Sequence, residues 1–141
     1  MKFWESSAVV PLCVDEPWTA RATGLLREDA EVAVWWSTRV ECASAIARLE
    51  RDDVLPADAV TKAFARLDNF AASWFEVEPR DEIREVARRL LRVHLLRAAD
   101  ALQLAAAYIV AERRPPTLAI VTLNDRVARA ALKEGFVLVR T

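Results

Sequence analysis

The amino-acid sequence predicts an α/β fold: a three-layer α/β/α sandwich with a mainly parallel central sheet. Three observations predict it. Short apolar runs alternate along the chain with longer amphipathic segments, the pattern of βα units. The runs lack the polar alternation of a half-exposed strand, so helices are expected on both sheet faces. The chain has 141 residues, of which 54% are hydrophobic. That length suits one domain, 1–141, and buries roughly two thirds of the unfolded surface without staples.

The elements follow in order. Residues 2–5 open the chain as a strand, and the apolar residues Val9, Val10, Leu12 and Val14 follow them. A second strand is expected over 31–36. The next helix carries the capping-box pattern Thr38-Arg39-Val40-Glu41, with Glu41 reaching back to the Thr38 N–H. Behind Pro56, the residues Val60, Ala63, Phe64, Leu67, Phe70, Ala71 and Trp74 keep helical spacing. A third strand is read over 74–77. After Pro79, which suits a first helical turn, Ile83, Val86, Ala87, Leu90 and Leu91 form a second stripe. Ala98, Leu102, Ala105, Ala106, Ile109 and Val110 form a third, stopped by Pro115-Pro116. Strands over 118–122 and 136–139 bracket a last helix, 125–134, which Gly135 closes.

The inventory excludes several chemistries. Twenty Lys and Arg oppose 21 Asp and Glu, for a net charge of −1. Nucleic-acid contact would therefore need a local patch rather than a basic chain. His94 is the single histidine, so neither a His/Cys zinc site nor a histidine-based triad has supporting spacing. Cys13 and Cys42 lie in apolar, helical-looking segments. Buried free thiols are favoured there over a disulfide, which fits a cytoplasmic location. No apolar run is long enough to span a membrane, and Met1-Lys2 leads into a strand rather than a signal peptide. Acid–base or metal chemistry must rest on carboxylates.

In open parallel sheets, functional groups gather where strands end and helices begin. Those junctions hold Glu5, Glu41, Asp100 and the pair Asn124-Asp125. Each has an ordinary explanation. Glu41 completes a capping box, Asp100 reads as an N-cap with Gln103 three residues on, and Asn124 caps the last helix. Glu5 could be a solvated strand-end charge, although burying it unpaired would be costly. Taken together, carboxylates converging on one cleft would repel and partly protonate unless a divalent cation joined them. All-oxygen sets suit Mg²⁺ or Mn²⁺, and such a metal supports phosphodiester hydrolysis without histidine.

Four strings carry a family resemblance. They are Phe3-Trp4-Glu5-Ser6-Ser7-Ala8, Trp36-Ser37-Thr38-Arg39-Val40-Glu41, the run from Leu96 to Ala105 around Asp100, and Val121-Thr122-Leu123-Asn124-Asp125-Arg126 followed by Gly135-Phe136. In this order and spacing the chain resembles PIN-domain proteins of the VapC type, the ribonuclease toxins of toxin–antitoxin pairs. The resemblance covers essentially the whole length. It implies a Mg²⁺- or Mn²⁺-dependent endoribonuclease acting on an RNA substrate, a cognate antitoxin that covers the cleft, and a homodimer. It gives Glu41 and Asp100 roles as metal-site carboxylates and Glu5 the place of the family's leading aspartate. Ser7 becomes an orienting hydroxyl and Thr38 a supporting one. The fourth acid falls on Asn124, with Asp125 beside it.

Two positions depart from the family pattern. Glu5 is longer than aspartate by one methylene, about 1.5 Å, where a reactive site tolerates ~0.5 Å. Asn124 keeps an oxygen but removes a charge. These departures support an alternative, a catalytically weakened domain that binds RNA or antitoxin. Arg97 and Arg39 are the first candidates for gripping phosphate, with Arg48, Arg88, Arg89 and Arg92 behind them. For any one of these arginines a solvated helix face is the favoured explanation. Trp35, Trp36 and Trp74 are either base-stacking or core aromatics.

Overall fold

The computed structural model describes residues 1–139, so the last two residues of the expected 1–141 unit lie outside the described residues. Five strands form the sheet: β1 (Lys2–Trp4), β2 (Val32–Trp35), β3 (Phe75–Val77), β4 (Ala119–Val121) and β5 (Val137–Val139). Their order is β3-β2-β1-β4-β5 and every neighbouring pair is parallel. Seven α-helices connect them: α1 (Ser6–Cys13), α2 (Thr19–Glu28), α3 (Thr38–Arg51), α4 (Ala57–Ala71), α5 (Asp81–Val93), α6 (Ala98–Val110) and α7 (Asp125–Glu134).

The strand order explains the layers. From β1 the chain steps outward to β2 and β3, then returns across the sheet to β4 and β5. Parallel crossovers keep one hand, so reversing direction moves the helices to the other face. Accordingly, α1 to α4 bury Trp4, Val34 and Val121 on one side. The opposite side packs α5, α6 and α7 on Phe3, Ala33, Trp35 and Ile120. Adjacent strand residues thus alternate between two apolar cores, and this is why the runs lack polar alternation. Direction reverses between β1 and β4, and a crevice opens there beyond the strands' C-terminal ends.

All five strands and the five expected helices form, with several shifts. Helix α2 falls where no stripe marked one, because only Ala22 and Leu25 of its ten residues are buried. Pro79 does not enter the first turn of α5, which starts at Asp81 with extended Arg80 before it. Helix α4 stops at Ala71, so Trp74 falls outside it. Pro11 lies within α1, where it removes one helical N–H donor and helps keep that helix to eight residues. Gly135 has the left-handed φ of 98° its position requires, and the Phe136 N–H then reaches the Ala131 carbonyl at 3.0 Å.

Candidate functional site

The crevice is built from the ends of β1 and β4. Glu5 follows β1 and is buried, 4% exposed. It caps α1, its Oε2 accepting from the Ser7 N–H at 3.2 Å. The same oxygen accepts from the Thr122 hydroxyl at 2.7 Å and from the Ser7 hydroxyl. Ser7 Oγ in turn accepts from the Leu123 N–H at 2.8 Å, and Thr122 Oγ1 from the Asn124 N–H at 3.0 Å. Two hydroxyls therefore tie the carboxylate to both strand ends. The desolvation cost of burying Glu5 is met by hydrogen bonds.

Glu41 arrives from the first turn of α3. Its Oε2 accepts from Ser37 Oγ and from Gln103 Nε2, each at 2.7 Å. The Ser6 hydroxyl lies between the two glutamates, 2.8 Å from Glu5 Oε1 and 3.4 Å from Glu41 Oε1. Burial pushes the Glu41 carboxyl above its ordinary range, and the charge of Glu5 adds to that. The bonds from Ser37, Gln103 and Ser6 offset only part of the rise. The expected capping bond to Thr38 is replaced: Ser37 is the N-cap, and Glu41 meets its side chain instead. Thr38 is fully buried and accepts from Gln103 Nε2 at 3.0 Å.

Asp100 is the third residue of α6, not its N-cap; Arg97 holds that position. From there the carboxylate reaches back, Oδ2 accepting from the Arg97 N–H at 3.0 Å. The same oxygen takes Arg126 Nε at 2.9 Å, and Oδ1 takes Asn124 Nδ2 at 2.8 Å. Burial pushes the Asp100 carboxyl up, but Arg126, the Arg97 N–H and Asn124 outweigh it, leaving the group below its usual range. Asn124 also caps α7, as read from the sequence: its Oδ1 accepts from the N–H groups of Arg126 and Val127. That fixes the amide orientation, because only the oxygen accepts. Its oxygen faces the helix and its nitrogen faces Asp100.

The site therefore divides into two linked groups. Glu5 and Glu41 share Ser6, while Asp100 is matched by Arg126. Arg126 also lies within the field of Glu5. Asp125 is exposed and bonds to none of the three acids. Arg39 pairs with Asp68 at 3.1 Å on the exposed side of α3, and the Arg97 side chain is exposed. Trp35 is core, Trp36 is exposed, and Trp74 donates to Glu76. His94 is held by Glu134 at 2.7 Å, so it serves no triad. Cys13 and Cys42 are free and buried, as expected.

Two participants escaped the sequence reading. The sequence marks Gln103 only as a cap partner, yet it stands one turn after Asp100 on the same face of α6 and faces Glu41. Its Oε1 is buried with no hydrogen-bond partner. Arg126 stands at the end of the C-terminal motif string, but nothing there marks it as the partner of Asp100. Among the described residues, no three His, Cys, Asp or Glu side chains gather closely enough to hold a metal ion.

The fold and the crevice define the class: this is a PIN-like α/β/α sandwich. Two solved structures share the fold. PAE2754 from Pyrobaculum aerophilum superposes with a TM-score of 0.65 at 21% identity, over 98% of this chain and 88% of that one. FitAcB from Neisseria gonorrhoeae gives 0.66 at 15% identity, over 99% of this chain and 97% of that one. No family model and no curated protein sequence matches the chain. Among the described residues, no helix is long and apolar enough to cross a membrane.

Proposed function

We propose that this chain is a metal-dependent endoribonuclease, the toxin of a toxin–antitoxin pair, using Mg²⁺ or Mn²⁺ on an RNA substrate. One observation supports the reading most. Three separate elements bring acids to the crevice where the sheet reverses direction, Glu5 and Asp100 buried and Glu41 half-buried, and Glu5 and Glu41 share a single hydroxyl. The cation would be held by Glu5 and Glu41, the pair short of positive charge. All of their donors are oxygen, as a hard divalent cation prefers. Gln103 faces Glu41 with its Nε2, so its buried, unpartnered Oε1 would join that set only if the amide turned over. Asp100 joins that set only when Arg126 or Asn124 gives up one of its oxygens.

A bound divalent cation supplies water activation and charge for in-line phosphodiester displacement. The chain's own residues do the rest. Ser7 and Thr122 hold Glu5 rigid, Ser37 and Gln103 aim Glu41, and Arg126 fixes Asp100. An antitoxin covering the crevice and a homodimer complete the proposed assembly, in the cytoplasm.

The test is cleavage of transfer and ribosomal RNA fragments with Mg²⁺ and Mn²⁺, run alongside Mn²⁺ binding by electron paramagnetic resonance. Cleavage that disappears in Glu41→Gln supports the reading. No cleavage, together with unchanged Mn²⁺ binding in Glu41→Gln and Asp100→Ala, overturns it.

A specific observation favours a second reading, the weakened binding module. Both oxygens of Glu5 and Asp100 and Oε2 of Glu41 already accept hydrogen bonds from the chain, Ser6 spending its one proton on the nearer Glu5, and the Asn124 oxygen is spent on the α7 cap. Cleavage found only in the Glu5→Asp/Asn124→Asp double variant would support this module.

A further inference from the structure

A groove of about 180 Å³ is lined by Val93, His94, Leu95, Arg126, Arg129 and Lys133. We propose that it is a phosphate subsite, through which the backbone of a single-stranded RNA passes the acidic crevice. The inference rests on the proposed nucleic-acid reading and names the residues that would position the strand.

Three features carry it. Arg126, Arg129 and Lys133 stand at i, i+3 and i+7 on one face of α7, close enough to repel one another. Arg129 and Lys133 have no ion pair among the described residues, and the nearby Glu134 is already held by Arg89 and His94. Arg129 and Lys133 are thus left without an anion, and a phosphate is the anion a guanidinium fork and an ammonium recognise. Arg126 links the groove to the site. It contacts Asp100 through Nε, leaving its terminal N–H groups available to the groove it lines. A phosphate bound there stands one side chain from Asp100. Finally, the outer wall is apolar and open to solvent: Val93 is 61% and Leu95 85% exposed. A cationic floor beside an apolar wall matches a nucleotide, whose phosphate and base differ in the same way.

The experiment uses the full chain in EDTA, so that binding is measured without metal-dependent cleavage. Fluorescence anisotropy follows a fluorescein-labelled 12-nucleotide single-stranded RNA across a salt series. Arg129→Gln/Lys133→Gln is compared with Arg51→Gln/Lys62→Gln, which removes the same charge from α3 and α4 on the opposite face. The groove variant is expected to lose at least tenfold in affinity. Its slope of log affinity against log salt should flatten by about 1.4, two lost phosphate contacts at about 0.7 each on a single strand. The control should change less than threefold. Equal losses in the two variants, no loss in either, or displacement of RNA by inorganic phosphate at equal phosphate concentration would overturn the subsite. Wild-type binding that depends on the groove, with no cleavage in Mg²⁺ or Mn²⁺, would sustain the subsite and reject the nuclease reading alone.

Discussion

Replacing Asn124 by Asp tests how the site is balanced. The substitution restores an acid where the family pattern has one, and it preserves the α7 cap, since a carboxylate also accepts from the Arg126 and Val127 N–H groups. It removes the 2.8 Å donor to Asp100 Oδ1, a hydrogen bond to a charged group worth about 1.5–3 kcal/mol. It also sets two carboxylates about 4 Å apart, a repulsion of about 4 kcal/mol at an effective dielectric of 20. Arg126, 2.9 Å from Asp100, cancels much of that, and the helix dipole returns up to ~1 kcal/mol. The expected net loss is about 3 kcal/mol at pH 7 without divalent cations.

The sign with pH follows from the pair. One of the two carboxyls acquires a folded pKa above its unfolded value. The loss is therefore small below about pH 4, where one group is protonated, and grows as pH rises through the raised value. Urea unfolding followed by tryptophan fluorescence in EDTA reads this directly. For a chain of this size the midpoint should fall by about 1.5 M at pH 7 and barely move at pH 4. Equal midpoints for variant and wild type at both pH values would refute the assignment of Asn124 as the donor that holds Asp100.

Three further outcomes are expected. Burial and the charge of Glu5 raise the Glu41 carboxyl, so its contribution is fully present below the unfolded pKa and is lost as pH rises through the folded one; Glu41→Gln should unfold at higher urea than wild type at pH 7 in EDTA, with the gain vanishing near pH 4. Asp100 is shifted the other way, its contribution present above the unfolded pKa and lost as pH falls through the folded one; Arg126→Gln should lower the urea midpoint slightly at pH 7, because its guanidinium is solvated, and should raise the acid-unfolding midpoint. Burial pushes the Cys13 thiol up to about 12 and the Cys42 thiol higher still; neither should react with Ellman's reagent at pH 8 until urea unfolds the chain, and a fast native reaction would contradict the burial of both.

The sequence by itself determined the fold class and where each strand lies, because strands covered on both faces must be apolar throughout. It also placed the acids at strand-to-helix junctions, since ordering strands along the chain orders their ends. Caps were partly legible. Asn124 bonds the next turn of its own helix, a contact within three residues. Gly135 was legible too, because its conformation is a property of one residue.

Tertiary structure alone decided which side chains meet. Gln103 joins Glu41 across 62 positions of sequence, and Thr122 joins Glu5 across 117. No local pattern encodes such pairs; they follow from β1 and β4 lying side by side and from the Gln103 side chain of α6 reaching Thr38 and Glu41 at the start of α3. The same cause reassigned the arginines. Arg97 and Arg39, adjacent to the motifs in sequence, turn outward, whereas Arg126 turns in. A helix fixes the face each side chain takes at its own position, but only packing decides whether that face meets solvent, a carboxylate or another helix.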